Sequence, residues 1–180
     1  MRTIQNVTLV MLQEEDREQF ILDNQEAFRY GAMEEFGMVD DHYEEDDEII
    51  SRKTIEDTMD ASNAEIYRIV CDGKVVGGVM LNVDRINGKG ELDLLFVSPS
   101  FHNRGIGYAA WQIVERMFPE IHLWETDTPY YEKRNIHFYV NRCGFQIVEF
   151  FCSHHKDPNC PHDEEEMFHF EKHIFAHNFS

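Results

Sequence analysis

Residues 102–111 read HNRGIGYAAW, and within them Gly105-Ile106-Gly107-Tyr108-Ala109-Ala110 spells G-x-G-x-x-A, the form of a dinucleotide-binding fingerprint. Twenty residues beyond Gly105 stands Glu125, where such a fold keeps an acid for the ribose. The surroundings decide what phosphate these glycines serve. A dinucleotide spans two mononucleotide halves, so its fingerprint must open a βαβ unit with more α/β alternation behind it. Only 75 residues follow Gly105, room for one crossover and a closing hairpin.

Upstream, the strands come as hairpins. AEIYRIVC (64–71) and KVVGGVMLNV (74–83) are rich in β-branched residues and are joined by Asp72-Gly73, a tight-turn dipeptide. A loop with Asn87-Gly88 leads to ELDLLFV (91–97), which Ser98-Pro99 stops. These segments predict an antiparallel meander of three strands. From Gly105 the period changes: Ile106, Ala109, Ala110, Ile113, Val114 and Met117 form a helical stripe that ends before Pro119. What survives is local physics. A strand ends, a glycine turn follows, and a helix begins whose first N–H groups are unpaired and partly positive, a seat for phosphate or pyrophosphate.

The rest of the chain reads as follows. VTLVML (7–12) is a short strand, residues 15–30 are an amphipathic helix carrying Phe20, Ile21, Ala27 and Phe28, and 50–60 hold a short helix. DDHYEEDDE (40–48) is an acidic loop or frayed helix end. IHLWET (121–126) is a strand, and Thr128-Pro129 has the form of an N-cap with proline at the first helical position. Ile136, Tyr139, Val140 and Cys143 then make one face of a helix stopped by Gly144. FQIVEFF (145–151) and EMFHFEKHI (166–174) are the last strands.

FVSPSFHNRGIGYAAWQIVERMF resembles the acetyl-coenzyme A signature of the GNAT (GCN5-related) N-acetyltransferase superfamily, a strand, a Gln/Arg-x-x-Gly-x-Gly/Ala turn and a helix. NIHFYVNRCGFQIVEF resembles the family's later helix, and both pieces agree in order and spacing across residues 65–151. Two positions depart from the pattern. His102 stands where the family has Gln or Arg, which shifts part of the phosphate contact to Arg104 or to backbone. Tyr139 lies five residues before Gly144 where four is the commoner spacing, and one residue turns a helix by about 100°, so Tyr139 and Val140 compete for the same direction.

The resemblance implies an α/β (α+β mixed) fold in a single domain, 1–180. It has a central mixed, mostly antiparallel sheet of six to seven strands, about four flanking helices, and splayed parallel strands at 91–97 and 121–126. It further implies acetyl-CoA as cosubstrate, wedged between those strands. The pyrophosphate would lie on the amides of Asn103, Arg104, Gly105, Ile106, Gly107 and Tyr108, with His102 and Asn135 also at the coenzyme. The acetyl oxygen would meet an N–H near Phe96 or Val97, an oxyanion-hole arrangement. The acceptor amine must lose a proton, for which Glu91 and Asp93 lead and Glu125 follows, and Tyr139 would protonate the departing thiolate. The expected acceptor is a primary amine of a small molecule or peptide, near residues 28–48. Phe28, Tyr30, Phe36 and Tyr43 line it or pack the core, and the acidic run attracts a cation or is simply solvated.

Composition bounds the rest. A formal net charge of −19 argues against nucleic acid and favours a cationic partner or mere solubility. The absence of a long apolar run or signal-peptide core points to a cytoplasmic protein off the membrane, with a homodimer as a reasonable prior. Cys152, His154, His155, Cys160 and His162 fall within eleven residues, but their spacing matches no common zinc finger, so the expectation is an exposed loop rather than a metal centre. A non-catalytic acyl-CoA or metal-responsive binding module on the same fold is the alternative to an enzyme.

Overall fold

The computed structural model describes residues 6–36, 48–161 and 165–175. In chain order its elements are β1 (Val7–Met11), α1 (Arg17–Phe36), α2 (Arg52–Met59), β2 (Ala64–Cys71), β3 (Lys74–Asp84), β4 (Lys89–Val97), α3 (Ile106–Met117), β5 (Leu123–Pro129), α4 (Lys133–His137), β6 (Gln146–Phe151) and β7 (Met167–His173). The strands hydrogen-bond in the order β1-β2-β3-β4-β5-β7-β6. Among the described residues the architecture is thus the expected one, a mostly antiparallel seven-stranded sheet with four helices. By internal contacts the chain forms two compact units, residues 1–83 with 92–118 and residues 84–91 with 119–180. Among the described residues no helix is long and apolar enough to cross a membrane.

The first unit is the meander and its helices. Asp72 and Gly73 take positive φ of 48° and 79°, the geometry a two-residue hairpin turn demands. Strand alternation sorts the apolar residues onto two faces. Phe20, Ile21, Ala27, Ile50, Ile55, Met59, Met80 and Phe96 cluster under α1 and α2. Ile69, Cys71, Val76, Ile106 and Ala110 cluster under α3. Burying each large member stabilises the fold by about 1.5–3 kcal/mol relative to leaving it in water. The Phe20 and Phe96 rings meet edge to face at 5.2 Å. Helix α1 runs on to Phe36, past the expected end at residue 30, and it also engages polar residues: Gln25 Nε2 donates to Ile50 O at 3.2 Å, and Asp23 pairs with buried Arg68 at 2.7 Å. Helix α2 starts where Ser51 accepts from the Thr54 N–H at 3.0 Å.

The second unit holds β5, β7 and β6 in antiparallel register beside the first residues of β4. One expectation needs correction here. Thr128-Pro129 does not start a helix: both residues end β5, Pro129 pairs with Met167, and α4 begins only at Lys133. Proline is tolerated at a strand terminus, so the dipeptide fits either use. The expected parallel pairing of β4 with β5 is present and joins Lys89–Glu91 to Leu123–Glu125.

Candidate active site

The stretch HNRGIGYAAW forms the expected strand, turn and helix in the first unit. After β4 a 3₁₀ turn, Pro99–Phe101, leads into a loop with Asn103 and Gly105 at φ of 62° and 76°. Successive residues switching between right- and left-handed conformations point their N–H groups inward, the nest that binds anions. A Cβ built on Gly105 meets nothing within 4 Å, so the turn has open space in front of it, and glycine is there for the dihedral rather than for a neighbour. Ala109 N–H is the first to close onto Gly105 O, leaving the amides before it for the helix end to offer outward. Buried Ile106 and Ala110 anchor that end to Ile69 and Val76. This backbone fits a pyrophosphate.

His102 has a structural role at the point where it breaks the family pattern. Its Nε2 donates to Val97 O at 2.7 Å, tying the loop to the end of β4, and its ring meets Tyr30 edge-on at 5.6 Å. Arg104 donates to Ser100 O at 3.2 Å with its guanidinium over the Phe101 ring. Tyr108 Oη accepts from Gln112 Nε2 at 3.1 Å. Phe96 is buried, while Val97 and Asp93 are half-buried.

In the second unit the strands bring together groups 34 to 46 residues apart or more. Glu91 pairs in register with Glu125, Glu125 with Glu171, and Asp127 with His169, which places all five on one sheet face. At their centre His169 Nδ1 lies 2.8 Å from Asp127 Oδ1 and Nε2 lies 3.3 Å from Glu125 Oε1. Both partners are acceptors, so both ring nitrogens donate and the imidazole is a cation. The hydrogen bond to Asp127, opposed by burial and helped by the charges of Asp127 and Glu125, pushes the His169 pKa up to about 9. The pKa of Glu91 also moves up, which for a carboxylate favours the neutral form. Desolvation, then the negative charges of Asp127 and Glu125, raise its proton affinity above the ordinary range. Beside this face lies a shallow cavity of about 150 Å³, lined among others by Asp127, Phe151, Cys152, Asp157 and Met167.

Tyr139 sits on the other face of β5, since its hydroxyl bonds the Thr126 and Thr128 side chains at the alternate positions. It is 7% exposed, and its ring is packed by Phe138, Phe145 and Phe170. Burial, the largest cause, drives its pKa well above the usual phenol value, so the hydroxyl keeps its proton. The surplus residue before Gly144 is absorbed by a π-helical segment, Phe138–Cys143, in which Gly144 N–H closes onto Tyr139 O. A π-bulge is how a helix accommodates one inserted residue without re-aiming its flanks. Tyr139 therefore faces inward and Val140 is only half-buried. Asn135 Nδ2 donates to a Glu132 carboxylate oxygen.

Other candidates stand apart. Glu125, His169 and Glu171 have donor atoms within 4.8 Å of one another, the one such grouping among the described residues, but an imidazolium that donates from both nitrogens has no lone pair for a metal. Cys152, His154 and Cys160 do not share a point in this sense, and His162 lies outside the described residues. His155 instead pairs with Glu149 at 2.6 Å and stacks on Phe151. Residues 40–47, including Tyr43, and the Phe36 side chain also fall outside the described residues. Glu48, last of the acidic run, binds Arg29 at 2.6 Å. Phe28 packs on the core and Tyr30 is exposed at 39%. The sequence reading missed His169, Asp127 and Glu171. Their period-2 spacing in WETDT and FHFEKH was the available signal.

Comparison with known proteins agrees with this picture. The model of the acetyltransferase (GNAT) family matches residues 13–145. An uncharacterized protein, YrkN, of Bacillus subtilis is 43% identical over 153 residues, covering 85% of this chain and 80% of that protein. The PaiA N-acetyltransferase of Thermoplasma acidophilum, solved with coenzyme A, superposes with a TM-score of 0.68 at 17% identity, covering 94% and 99% of the two chains. The ribosomal-protein-S18-alanine N-acetyltransferase of Escherichia coli does so with a TM-score of 0.66 at 13% identity, covering 97% and 99%. At those identities the structural likeness speaks for the fold.

Proposed function

The chain belongs to the acetyltransferase (GNAT) family, and from that premise we propose that it moves the acetyl group of acetyl-CoA to a primary amine of a small molecule or peptide, by direct attack in a ternary complex. The observation that carries the reading is the turn at Asn103–Gly105, which opens α3 with a left-handed glycine facing open space. In this reading residues 1–180 act as one acetyltransferase domain. The amides of 103–108 hold the pyrophosphate, His102 braces their loop, and β4 from Leu92 to Val97 offers its backbone to the rest of the coenzyme. An N–H near Phe96 or Val97 stabilises the oxyanion as the amine adds to the thioester carbonyl.

Before that addition the ammonium must give up a proton. Glu91 takes it: its proton affinity is raised, and Glu125 and Asp127 are engaged by His169. Asp93, next on the same face of β4, is the alternative base. As the thiolate leaves, Tyr139 supplies a proton from a hydroxyl that burial keeps protonated. Four carboxylates around one imidazolium on that face favour a cationic acceptor, and the protein would act in the cytoplasm. The test is thiol release from acetyl-CoA in the presence of an amine panel. Release that depends on an amine supports the enzyme. Coenzyme binding without release would make the chain a binding module.

A further inference from the structure

We propose that His169 is a positioning residue of this reaction: by bridging Asp127 and Glu125 through its two ring nitrogens, it fixes both β5 carboxylates against β7 and leaves Glu91 as the one open to the acceptor's proton. The proposal rests on the acetyl-transfer reading for its kinetic part and on geometry for the rest. His169 stands directly opposite Asp127 in the β5–β7 register, and Glu125 is two residues back on the same face. Its side chain is 16% exposed, so the two contacts at 2.8 and 3.3 Å are shielded on most sides.

Every neighbouring element contributes charge to this point. Strand β5 supplies Glu125 and Asp127, β7 supplies Glu171, and β4 supplies Glu91. Strand β6 puts Glu149 opposite His169 in register, where its carboxylate is held by His155. Glu171 is engaged by His173 at 3.0 Å, and Asp157 acts on Glu91 from the loop beyond β6. The ring of Phe151 lies 6.1 Å from His169 and limits its tilt. Each of these carboxylates thus has a histidine partner except Glu91 and Asp157.

Without His169, three carboxylates would stand on one face with no fixed cation, and like charges this close cannot all stay ionised. One of Glu125 or Asp127 would compete for the proton meant for Glu91. The positive charge of His169 also opposes the rise in Glu91 proton affinity, so its loss makes Glu91 hold its proton to higher pH.

Two measurements test this. The first needs no variant: ¹⁵N-imidazole NMR of the wild-type protein reads the His169 ring directly, assigned by comparison with His169→Gln. The expected result is a doubly protonated ring at pH 7.5 that loses its proton only near pH 9. A neutral ring at pH 7.5, or a shift on adding zinc with the ring nitrogen metallated, overturns the proposal whatever the enzyme's activity. The second is the pH profile of kcat/KM for the amine in His169→Gln and His169→Arg. The glutamine variant should lose on the order of tenfold at neutral pH with its acid limb moved to higher pH, coenzyme KM staying within about twofold. Arginine, which can bridge both carboxylates, should restore the limb. An active wild type whose His169→Gln profile is superimposable overturns the proposal alone. No amine-dependent turnover in the wild type overturns the acetyl-transfer reading instead, and the NMR result then stands by itself.

Discussion

The turn at 102–108 and the sheet face around His169 are two ways of building chemistry. The first is made of backbone: its useful groups are amides, its shape comes from two left-handed residues, and its side chains mainly brace it. The second is made of side chains from three strands, and its properties come from which charge stands next to which. A backbone site tolerates exchange of side chains but not of dihedral. A side-chain site tolerates neither the loss of a charge nor a slip of register, because one residue of slip sends every group to the opposite face.

That contrast sets what substitution should do. The largest effect belongs to Glu91→Gln, which keeps the shape and removes the base: kcat/KM for the amine should fall by about 10²–10⁴-fold, with the calorimetric affinity for coenzyme A unchanged. A fall shared equally by coenzyme binding would erase the division between the two regions. Tyr139→Phe removes only the hydroxyl between Thr126 and Thr128, and should lower kcat by roughly tenfold or more through the lost proton donor. If thiol release proceeds at the wild-type rate, Tyr139 is a packing residue.

Gly105→Ala probes the backbone side. Open space means no clash, so the cost is the dihedral: about 1–2 kcal/mol of stability in urea melts, and a coenzyme affinity weakened several-fold with the amine KM untouched. An unchanged coenzyme affinity would show that the nest does not carry the phosphate. The smallest effect is in pH. The folded His169 pKa is raised above the unfolded value of about 6.5, so its contribution to stability is fully present below that pH and is lost as pH rises through about 9. Wild-type protein should therefore lose more stability than His169→Gln between pH 6 and 9. Parallel loss in both would mean the bridge adds nothing to the fold.

The two regions also differed in how far the sequence disclosed them. The turn could be read because everything that makes it is contiguous: a strand, Ser98-Pro99, two glycines and a helical stripe all lie within residues 91–117. The strand hairpin at Asp72-Gly73 was legible for the same reason. The sheet face was not, although Glu91 and Glu125 were singled out. Alternation says that Asp127 and His169 each lie on one face of a strand, but nothing local says that β5 pairs with β7 ahead of β6, and that pairing alone makes a bridge of His169. The spacing of Tyr139 from Gly144 left Tyr139 and Val140 competing for one direction, which the π-helical segment and the packing of Tyr139 against Phe145 and Phe170 decide. Thr128-Pro129 went wrong because a proline that opens helices also closes strands.

The proposed reaction is acetyl transfer from acetyl-CoA to a primary amine. Its most direct test is the rate of thiol release from acetyl-CoA by the wild-type protein, measured with and without each of a panel of primary amines that includes diamines and peptide N-termini. The account predicts release that saturates in at least one cationic amine and rises with pH as Glu91 deprotonates. Acetyl-CoA bound tightly, with no amine raising thiol release above the uncatalysed rate at any pH from 6 to 9, would contradict it.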